Sequence, residues 1–266
     1  MNKIGFIGVG NMGYAMIKGL LSYKNKEEIL FNDKSEERVK WLNNNLDIKA
    51  INSNKELVNS TKYIVLAIKP QDYFLVLKDI KDVISNEHIL ISIAPGISIA
   101  NIKNIIGEDT RIIRAMPNTP ALVGEGMSVI SFSNDSFTRI ERDEIFKIFY
   151  SFGEVEEIEE RLMNSVVPIS GSSPAYVFMM IEAMADSGVL AGLPRKLSYK
   201  LAAQAVLGSA KMILETQDHP AKLKDAVCSP GGTTIEAVAV LEKLAFRSSI
   251  IEAMKACLDK TNQMNQ

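Results

Sequence analysis

The sequence predicts an α/β protein in which a parallel, doubly wound sheet is followed by an all-helical domain. Three observations lead to this fold class. Short apolar runs rich in β-branched residues alternate with amphipathic stretches up to about residue 160, a glycine-rich loop follows the first run, and the strand pattern then stops. We therefore expect an α/β domain over residues 1–160 and a helical domain over residues 161–266.

Six apolar runs are the predicted strands of the first domain, and amphipathic stretches between them are the predicted helices. The strands are KIGFI (3–7), EILFN (28–32), YIVLAI (63–68), HILISI (88–93), RIIRAM (111–116) and MSVISF (127–132). The helices are MGYAMIKGLLSY (12–23), SEERVKWLNNN (35–45), QDYFLVLKDI (71–80) and SIANIKNII (98–106). A further helix within 135–152 and an edge strand at 154–159 complete the domain.

The second half is rich in Ala, Met and Leu at helical spacing. The predicted helical runs are 162–190, 195–216, 221–227 and 234–260, broken at 192–194, 219–220 and 229–232. The many small residues, as in AAQAVLGSAKM (202–212), permit close helix packing. We expect a dimerisation domain, although a monomeric bundle would show the same pattern.

Composition excludes several classes of protein. The chain of 266 residues is 47% hydrophobic and has a net charge of -2, without a Lys/Arg-rich block, so nucleic acid is not an expected partner. Cys228 and Cys257 are too few for a disulfide framework and lack zinc-type spacing, so we expect no metal site and a reducing compartment. Neither a signal peptide nor an apolar run of bilayer length is recognised, which predicts a soluble cytoplasmic protein without a membrane partner.

The first glycine-rich loop has the pattern G-x-G-x-x-G between a predicted strand and a predicted helix. Its residues are Gly8, Val9, Gly10, Asn11, Met12 and Gly13. Gly8 makes the tight turn, Gly10 lets the backbone approach a pyrophosphate, and Gly13 allows the helix to pack closely on the strand. The helix N-terminus supplies free N–H groups for the anion. This context predicts dinucleotide binding rather than a purely structural turn.

The end of the second strand bears on which dinucleotide binds. Asp33 lies twenty residues after Gly13, where an acid would hydrogen-bond the 2′-hydroxyl of NAD. Lys34 and Ser35 could instead hold the 2′-phosphate of NADP, although Ser35 is also a good N-cap for the next helix. The choice between NADH and NADPH stays open.

Three loops follow predicted strands, at the edge where open α/β sheets bind ligands. They are VLAIKPQ (65–71), SIAPGIS (92–98) and IIRAMPNTPALVGEGM (112–127). The helical half adds ISGSSPAYVF (169–178) and LKDAVCSPGGTTIEAVAVLE (223–242). With these motifs the chain resembles the pyrroline-5-carboxylate reductases over essentially its whole length. The resemblance implies NAD(P)H-dependent reduction of 1-pyrroline-5-carboxylate to L-proline by a Rossmann domain and a helical domain that dimerises; in some members the dimers form decameric rings.

The resemblance also implies roles for individual residues. The pyrophosphate would lie at Gly8–Gly13, the adenosine ribose at Asn32, Asp33, Lys34, Ser35 and Asn54, and the nicotinamide at Ala67, Ile68, Lys69, Pro70, Ala94, Pro95 and Gly96. The substrate would lie at Ser229, Gly231, Gly232, Thr233 and Thr234. Ser170 and Ser172 are small polar residues that interrupt an apolar helical run, so we expect them to contact either the substrate or another helix. A glycine loop that opens a helix directs N–H groups at an anion such as the substrate carboxylate, although a Pro-Gly helix break with a threonine N-cap has the same form.

No catalytic dyad is recognisable in the sequence. His88 lies in a predicted strand and His219 precedes Pro220. Hydride transfer to a protonated cyclic imine requires orientation and exclusion of water more than acid catalysis. Lys69 and Thr234 are the candidate catalytic residues, and for Lys69 a solvated lysine before a proline turn is an equally good interpretation.

Three positions, Ser173, Pro95 and Ala226, depart from the family pattern. They are the only support for one alternative, a catalytically weak NAD(P)-binding regulatory relative. A second alternative is a β-hydroxyacid dehydrogenase, which needs a general-base lysine in the second domain. Lys196, Lys200 and Lys211 are candidates by location only, and the SPGGTTI loop argues against them.

Overall fold

A computed structural model describes residues 3–264 and contains a single seven-stranded sheet in the order β2-β1-β3-β4-β5-β6-β7. The strands are β1 Ile4–Ile7, β2 Ile29–Asn32, β3 Tyr63–Leu66, β4 Ile89–Ser92, β5 Arg111–Met116, β6 Gly126–Phe132 and β7 Gly153–Glu157. The helices between them are α1 Asn11–Leu20, α2 Glu36–Leu46, α3 Asn54–Ser60, α4 Pro70–Ile80, α5 Ile99–Ile106 and α6 Arg139–Tyr150. The predicted strands and helices of the α/β domain are confirmed.

The sheet is covered on both faces because successive residues of its strands point to opposite sides. Phe6 and Val65 belong to an apolar cluster that also contains residues of α1, α2 and α6. Ile7 and Leu66 belong to a second cluster with residues of α3, α4 and α5. The strands therefore read as continuous apolar runs, as expected for a doubly wound sheet.

One strand pair departs from the predicted parallel sheet. β6 runs antiparallel to β5, with Ile113 opposite Phe132 and Met116 opposite Val129. The connection between them contains only a 3-10 turn at Thr119–Val123, which is too short for the crossover that a parallel pair needs. β7 then pairs in parallel with β6 after the crossover helix α6, as the edge strand that the sequence predicts.

The strand order reverses between β1 and β3. From β1 the chain goes to β2 on one side, and then crosses to β3 on the other. The loops after β1 and β3 consequently diverge and leave a crevice at the carboxyl ends of the strands, where doubly wound sheets bind their ligands.

The described chain divides into two compact units, one of residues 3–172 with 257–264 and one of residues 173–256. The helices after the sheet are α7 Met163–Val166, α8 Ser173–Leu190, α9 Arg195–Thr216, α10 Pro220–Val227, α11 Thr233–Lys243 and α12 Phe246–Met264. Two predicted runs are wrong as continuous helices. The first is interrupted by a π-helical turn at Val167–Gly171 that contains Pro168, and the last breaks where Ala245 adopts a left-handed φ of 56°.

The helical unit buries little of its own apolar surface. Ala185 and Ala202 are the only buried apolar residues within 173–256. Large side chains such as Phe178 and Met179 on α8 are 63% and 70% exposed. Within residues 3–264, none of the helices has the combination of length and apolar character needed to span a membrane.

Candidate active site

A cleft of about 240 Å³ lies at the carboxyl ends of β1 and β3, where the strand order reverses. Its walls contain nine of the predicted coenzyme residues: Gly8, Gly10, Asn32, Asp33, Lys34, Asn54, Ala67, Ile68 and Lys69. Ile7, Asp72 and Val76 complete the lining. Residues from four separate parts of the chain thus meet at the sheet edge that the sequence predicts to bind ligands.

The glycine loop leaves room for a ligand at one position only. Gly8 has a φ of +81°, and a Cβ there would lie 2.5 Å from Cγ2 of Ile68. A Cβ on Gly13 would lie 3.0 Å from the carbonyl oxygen of Gly8, so this glycine permits the close contact of helix and loop. A Cβ on Gly10 would have no atom within 4 Å. The packing of the loop therefore explains why positions 8 and 13 are glycine, whereas the space that a ligand could occupy lies at Gly10.

The space at Gly10 is suited to an anion. Gly10 is the N-cap of α1, and the first turn of this helix contains no acidic residue. The first N–H groups of a helix have no intrahelical acceptor and lie at the positive end of its dipole. A dinucleotide pyrophosphate fits this combination of open volume, free donors and positive potential.

Asp33 is bonded on both of its carboxylate oxygens. Oδ2 accepts the backbone N–H of Val9 at 2.7 Å and Oδ1 accepts that of Ser35 at 2.9 Å. Asp33 therefore ties the glycine loop to the end of β2, in addition to any contact with a ribose. The hydroxyl of Ser35 accepts the N–H of Arg38 at 3.2 Å, so the N-cap interpretation of Ser35 is confirmed.

Three contacts of this site were not predicted from the sequence. The Nε of Arg38 donates to the carbonyl oxygen of Val9 at 2.7 Å, and its guanidinium lies 4.7 Å from the ring centroid of Trp41. Nζ of Lys34 lies 2.7 Å from Oδ2 of Asp72, a residue of the first turn of α4. Neither Arg38 nor Asp72 belongs to a recognisable sequence motif, because their contacts depend on how α2 and α4 pack.

Several predicted coenzyme residues lie outside the walls of the cleft. Val9 has a fully buried side chain and faces the loop only through its backbone. The others are Asn11, Met12, Gly13, Ser35, Pro70, Ala94, Pro95 and Gly96. Gly96 lines a separate cavity of about 390 Å³ with Ser98, Asn101, Arg114, Glu160, Arg161 and Asn164. Coenzyme contacts by these residues stay predictions.

A partly buried ion pair, which the sequence did not indicate, holds the loop before α5. Oε1 of Glu160 accepts the N–H of Ile99, the first residue of α5, at 2.7 Å. The same oxygen lies 3.2 Å from Nη1 of Arg114, whose side chain is 6% exposed. Nη2 of Arg114 donates to Oδ1 of Asn164 at 3.1 Å. The loop that contains Ala94, Pro95 and Gly96 is therefore fixed at its far end by a charge network.

Both histidines serve as acceptors in turns. The placement of His88 within a strand was wrong, because β4 begins at Ile89 and Nδ1 of His88 accepts the N–H of Ser85 at 3.0 Å. A short apolar run predicts that a strand exists, but it does not show at which residue the preceding turn ends and the strand begins. His219 is the N-cap of α10, and its Nδ1 accepts the N–H of Ala221 at 3.2 Å.

The two predicted serines before α8 differ in their contacts. The carbonyl oxygen of Ser170 accepts Nδ2 of Asn118 at 3.0 Å. The hydroxyl of Ser170 is buried and has no hydrogen-bond partner among residues 3–264. The hydroxyl of Ser172 accepts Sγ of Cys257 at 3.4 Å. An unpaired buried hydroxyl requires an explanation, and a polar ligand is one.

The SPGGTTI loop forms a tight turn that opens α11. Gly231 has a φ of +66°, and the N–H of Gly232 donates to the carbonyl oxygen of Ser229 at 3.0 Å. A Cβ on Gly232 would lie 2.3 Å from the hydroxyl of Ser229, an exposed side chain that can rotate away, and 3.1 Å from the carbonyl oxygen of the same residue. Gly232 is the N-cap of α11 and provides no side chain to bond the N–H groups of Thr233 and Thr234. The predicted anion site has the expected backbone.

Lys69 lies at the entrance to α4. It is the N-cap of that helix and is exposed, and it lines the cleft after β3. In the described part of the chain no carboxylate lies within 4 Å of its ammonium group, unlike that of Lys34. Its charge is therefore available to an anionic ligand of the cleft.

Comparison with known proteins identifies the family. Residues 160–264 match the family model described as pyrroline-5-carboxylate reductase dimerisation, and residues 3–96 match that of the coenzyme F420-dependent NADP oxidoreductases. The pyrroline-5-carboxylate reductase of Escherichia coli K12 is 47% identical over 266 residues, which cover 99% of this chain and 98% of the relative. This chain belongs to the pyrroline-5-carboxylate reductase family.

Further relatives agree with this assignment. The pyrroline-5-carboxylate reductase of Synechocystis is 44% identical over 269 residues, covering 99% of this chain and 98% of that protein. The crystal structure of Plasmodium falciparum pyrroline carboxylate reductase with NADP bound has a TM-score of 0.90 at 34% identity, and covers all of this chain and 98% of that one. The predicted family, and with it the NAD(P)H-dependent reduction of 1-pyrroline-5-carboxylate to L-proline, is confirmed.

Proposed function

We propose that the cleft at β1 and β3 binds the coenzyme and that the SPGGTTI loop binds the carboxylate of 1-pyrroline-5-carboxylate. The observation that carries the first assignment is the open space at Gly10, at the positive end of α1. When bound, the nicotinamide supplies the hydride that reduces the carbon of the C=N bond. The residues of this chain bind and orient the two reactants, and the exposed Lys69 attracts the anionic coenzyme.

The substrate assignment depends on the start of α11. The N–H groups of Thr233 and Thr234, which the N-cap Gly232 has no side chain to bond, form a site for a small anion, and the substrate carboxylate is such an anion. Among the hydroxyls of Ser229, Thr233 and Thr234, only that of Thr234 belongs to a half-buried residue. We therefore assign to Thr234 the hydrogen bond that fixes the substrate for hydride transfer.

The test is steady-state oxidation of NADH and NADPH, followed by reduced-nicotinamide absorbance, with 1-pyrroline-5-carboxylate as the substrate. We expect turnover by the wild type and a loss of about 10- to 100-fold in kcat/KM for Thr234→Val, the range for one lost hydrogen bond to a charged group. Thr234→Ser is the matched control, because it retains the hydroxyl and should retain most of the activity.

Two outcomes would contradict parts of this proposal. Equal activities of the valine and serine variants would remove the role of the Thr234 hydroxyl. Coenzyme binding without turnover in the wild type would support the catalytically weak regulatory relative, for which Ser173, Pro95 and Ala226 are the sequence evidence.

We also propose that the protein is a homodimer through residues 173–256. A groove lined by residues of α8, α11 and α12, among them Met180, Met184 and Leu241, is almost entirely apolar, and the only apolar residues that the unit buries are Ala185 and Ala202. A second copy would cover such a surface through a self-complementary interface. Sedimentation should give a dimer or a multiple of it, such as a decamer; Met180→Glu should give monomers, and a monomeric wild type would refute the proposal.

We also propose a cellular compartment for this enzyme. Cys228 and Cys257 are both free thiols, which a reducing environment preserves. We therefore place the enzyme in the cytoplasm, and fractionation of the source cells would test this.

A further inference from the structure

An ion pair lies in the cleft together with Asn32 and Asn54, two of the residues predicted to bind the adenosine ribose. Lys34 and Asp72 both line the cleft, together with Asn32 and Asn54, and Nζ of Lys34 lies 2.7 Å from Oδ2 of Asp72. Asp33, the acid that the Rossmann pattern assigns to the ribose, already accepts two backbone N–H groups. Lys34 directly follows Asp33 and is the cation of the cleft nearest to it in the chain, and Asp72 is its counter-ion.

The two members of the pair differ in freedom. The side chain of Asp72 is 30% exposed and lies in the first turn of α4, whereas that of Lys34 is 81% exposed. A lysine side chain has four rotatable bonds and its ammonium acts as a point charge, so it can turn from one anion to another at little cost. Asp72 thus occupies a fixed position, and Lys34 is the movable partner.

The charges that line the cleft cancel. Asp33 and Asp72 are acidic, and Lys34 and Lys69 are basic. A 2′-phosphate carries close to two negative charges and would compete with Asp72 for the ammonium of Lys34 while being repelled by Asp72 itself. The 2′-hydroxyl of NADH has no charge and would experience neither effect. The pair should therefore affect the binding of NADPH and have little effect on the binding of NADH.

We propose that the Lys34–Asp72 ion pair sets the coenzyme preference, with Lys34 as the cation that binds a 2′-phosphate and Asp72 as the anion that opposes it. This inference rests on the proposed function, in that it requires the coenzyme to occupy the cleft. Asp72 is then the residue that limits the preference for NADPH over NADH.

The test measures the dissociation constants of NADPH and NADH by reduced-nicotinamide fluorescence, without substrate. We expect Asp72→Asn to tighten NADPH about threefold to tenfold at low salt and to change NADH less than twofold. Lys34→Gln should weaken NADPH by a similar factor and leave NADH unchanged. Because the pair is exposed, both effects should shrink as the salt concentration rises.

A matched control exists in the same unit. Lys26 and Asp47 form an exposed ion pair at 2.8 Å, and neither residue lines the cleft. Asp47→Asn changes the net charge as Asp72→Asn does, and should leave both dissociation constants unchanged. Unfolding in urea should show that the Asp72→Asn variant is folded.

The outcomes separate this inference from the proposed function. If the wild type binds neither coenzyme, the assignment of the cleft fails. If it binds both, but Asp72→Asn changes the two dissociation constants by the same factor or no more than Asp47→Asn does, the cleft assignment stands and the discriminating role of the ion pair is refuted.

Discussion

Replacing Gly10 with alanine should separate coenzyme binding from stability. In the protein without ligand, the added Cβ would have no atom within 4 Å, and the φ of -70° at Gly10 is allowed for alanine. Alanine is a poorer N-cap than glycine by up to about 1 kcal/mol, but it restricts the unfolded chain by about 0.4–1 kcal/mol. The two terms nearly cancel, so the free energy of unfolding should change by less than about 0.5 kcal/mol.

The same methyl group would occupy the space assigned to the pyrophosphate. Overpacking a close contact costs about 1–3 kcal/mol, which corresponds to a coenzyme affinity about 5- to 150-fold weaker. We would measure the dissociation constants of NADPH and NADH by fluorescence and the free energy of unfolding in urea. A Gly10→Ala variant that binds both coenzymes as tightly as the wild type would refute the assignment of this space.

Gly8→Ala provides the contrast. Its Cβ would lie 2.5 Å from the side chain of Ile68 and 2.9 Å from the carbonyl oxygen of Ala67, at a φ of +81°. We expect a loss of stability of about 2–4 kcal/mol, because steric overlap and left-handed strain add. A Gly8→Ala variant as stable as Gly10→Ala would show that the loop rearranges freely, and the argument from its geometry would fail.

Three further substitutions test the charge networks by urea unfolding. Burial of Glu141 opposes its ionisation, but hydrogen bonds from Lys62, Thr138 and Arg111 lower its pKa to about 2. Glu141→Gln should therefore reduce the free energy of unfolding by about 2 kcal/mol at pH 7. This loss should persist above about pH 4.5 and disappear as the pH falls towards 2, and a loss that is the same at every pH would contradict the argument. Asp33→Asn should cost about 1–3 kcal/mol, whereas an acid that only bound a ribose would leave stability unchanged. Glu160→Gln should cost about 2 kcal/mol, and no loss would mean that the buried guanidinium it contacts finds another partner.

The sheet domain was largely predictable from the sequence because its signals are local. Each buried strand is a short apolar run, and the glycine loop is contiguous with β1 and α1. The antiparallel pair β5–β6 was missed because the direction of a strand depends on what connects it. The connection at Thr119–Val123 contains no crossover helix, and its loop motif was interpreted only as part of a ligand site.

The candidate site was predictable only where its residues are neighbours in the chain or belong to a known pattern. Lys34 follows Asp33 directly, so both were found, but Asp72 lies 38 residues after Lys34 and has no distinguishing context. Glu160 is 61 residues from the N–H group of Ile99 that it accepts. Single charged residues of this kind are common on helices and loops, and only the packing of α4 and of the segment after β7 shows their partners.

In the helical unit, prediction from the sequence is limited for a different reason. In the sheet domain the apolar residues of a strand are buried by helices of the same chain, so the pattern and the burial agree. In residues 173–256 the only buried apolar residues are Ala185 and Ala202, although the unit is rich in Leu and Met. An apolar face that the chain does not cover indicates a partner but does not define its geometry, because the packing constraints lie on the partner. The break at Ala245, within a run whose apolar pattern continues, is consistent with this. If a second copy covers these faces, contacts within one chain and contacts between two chains together determine this half of the fold. The periodicity of the sequence predicts which residues are apolar, but not how the two chains pack.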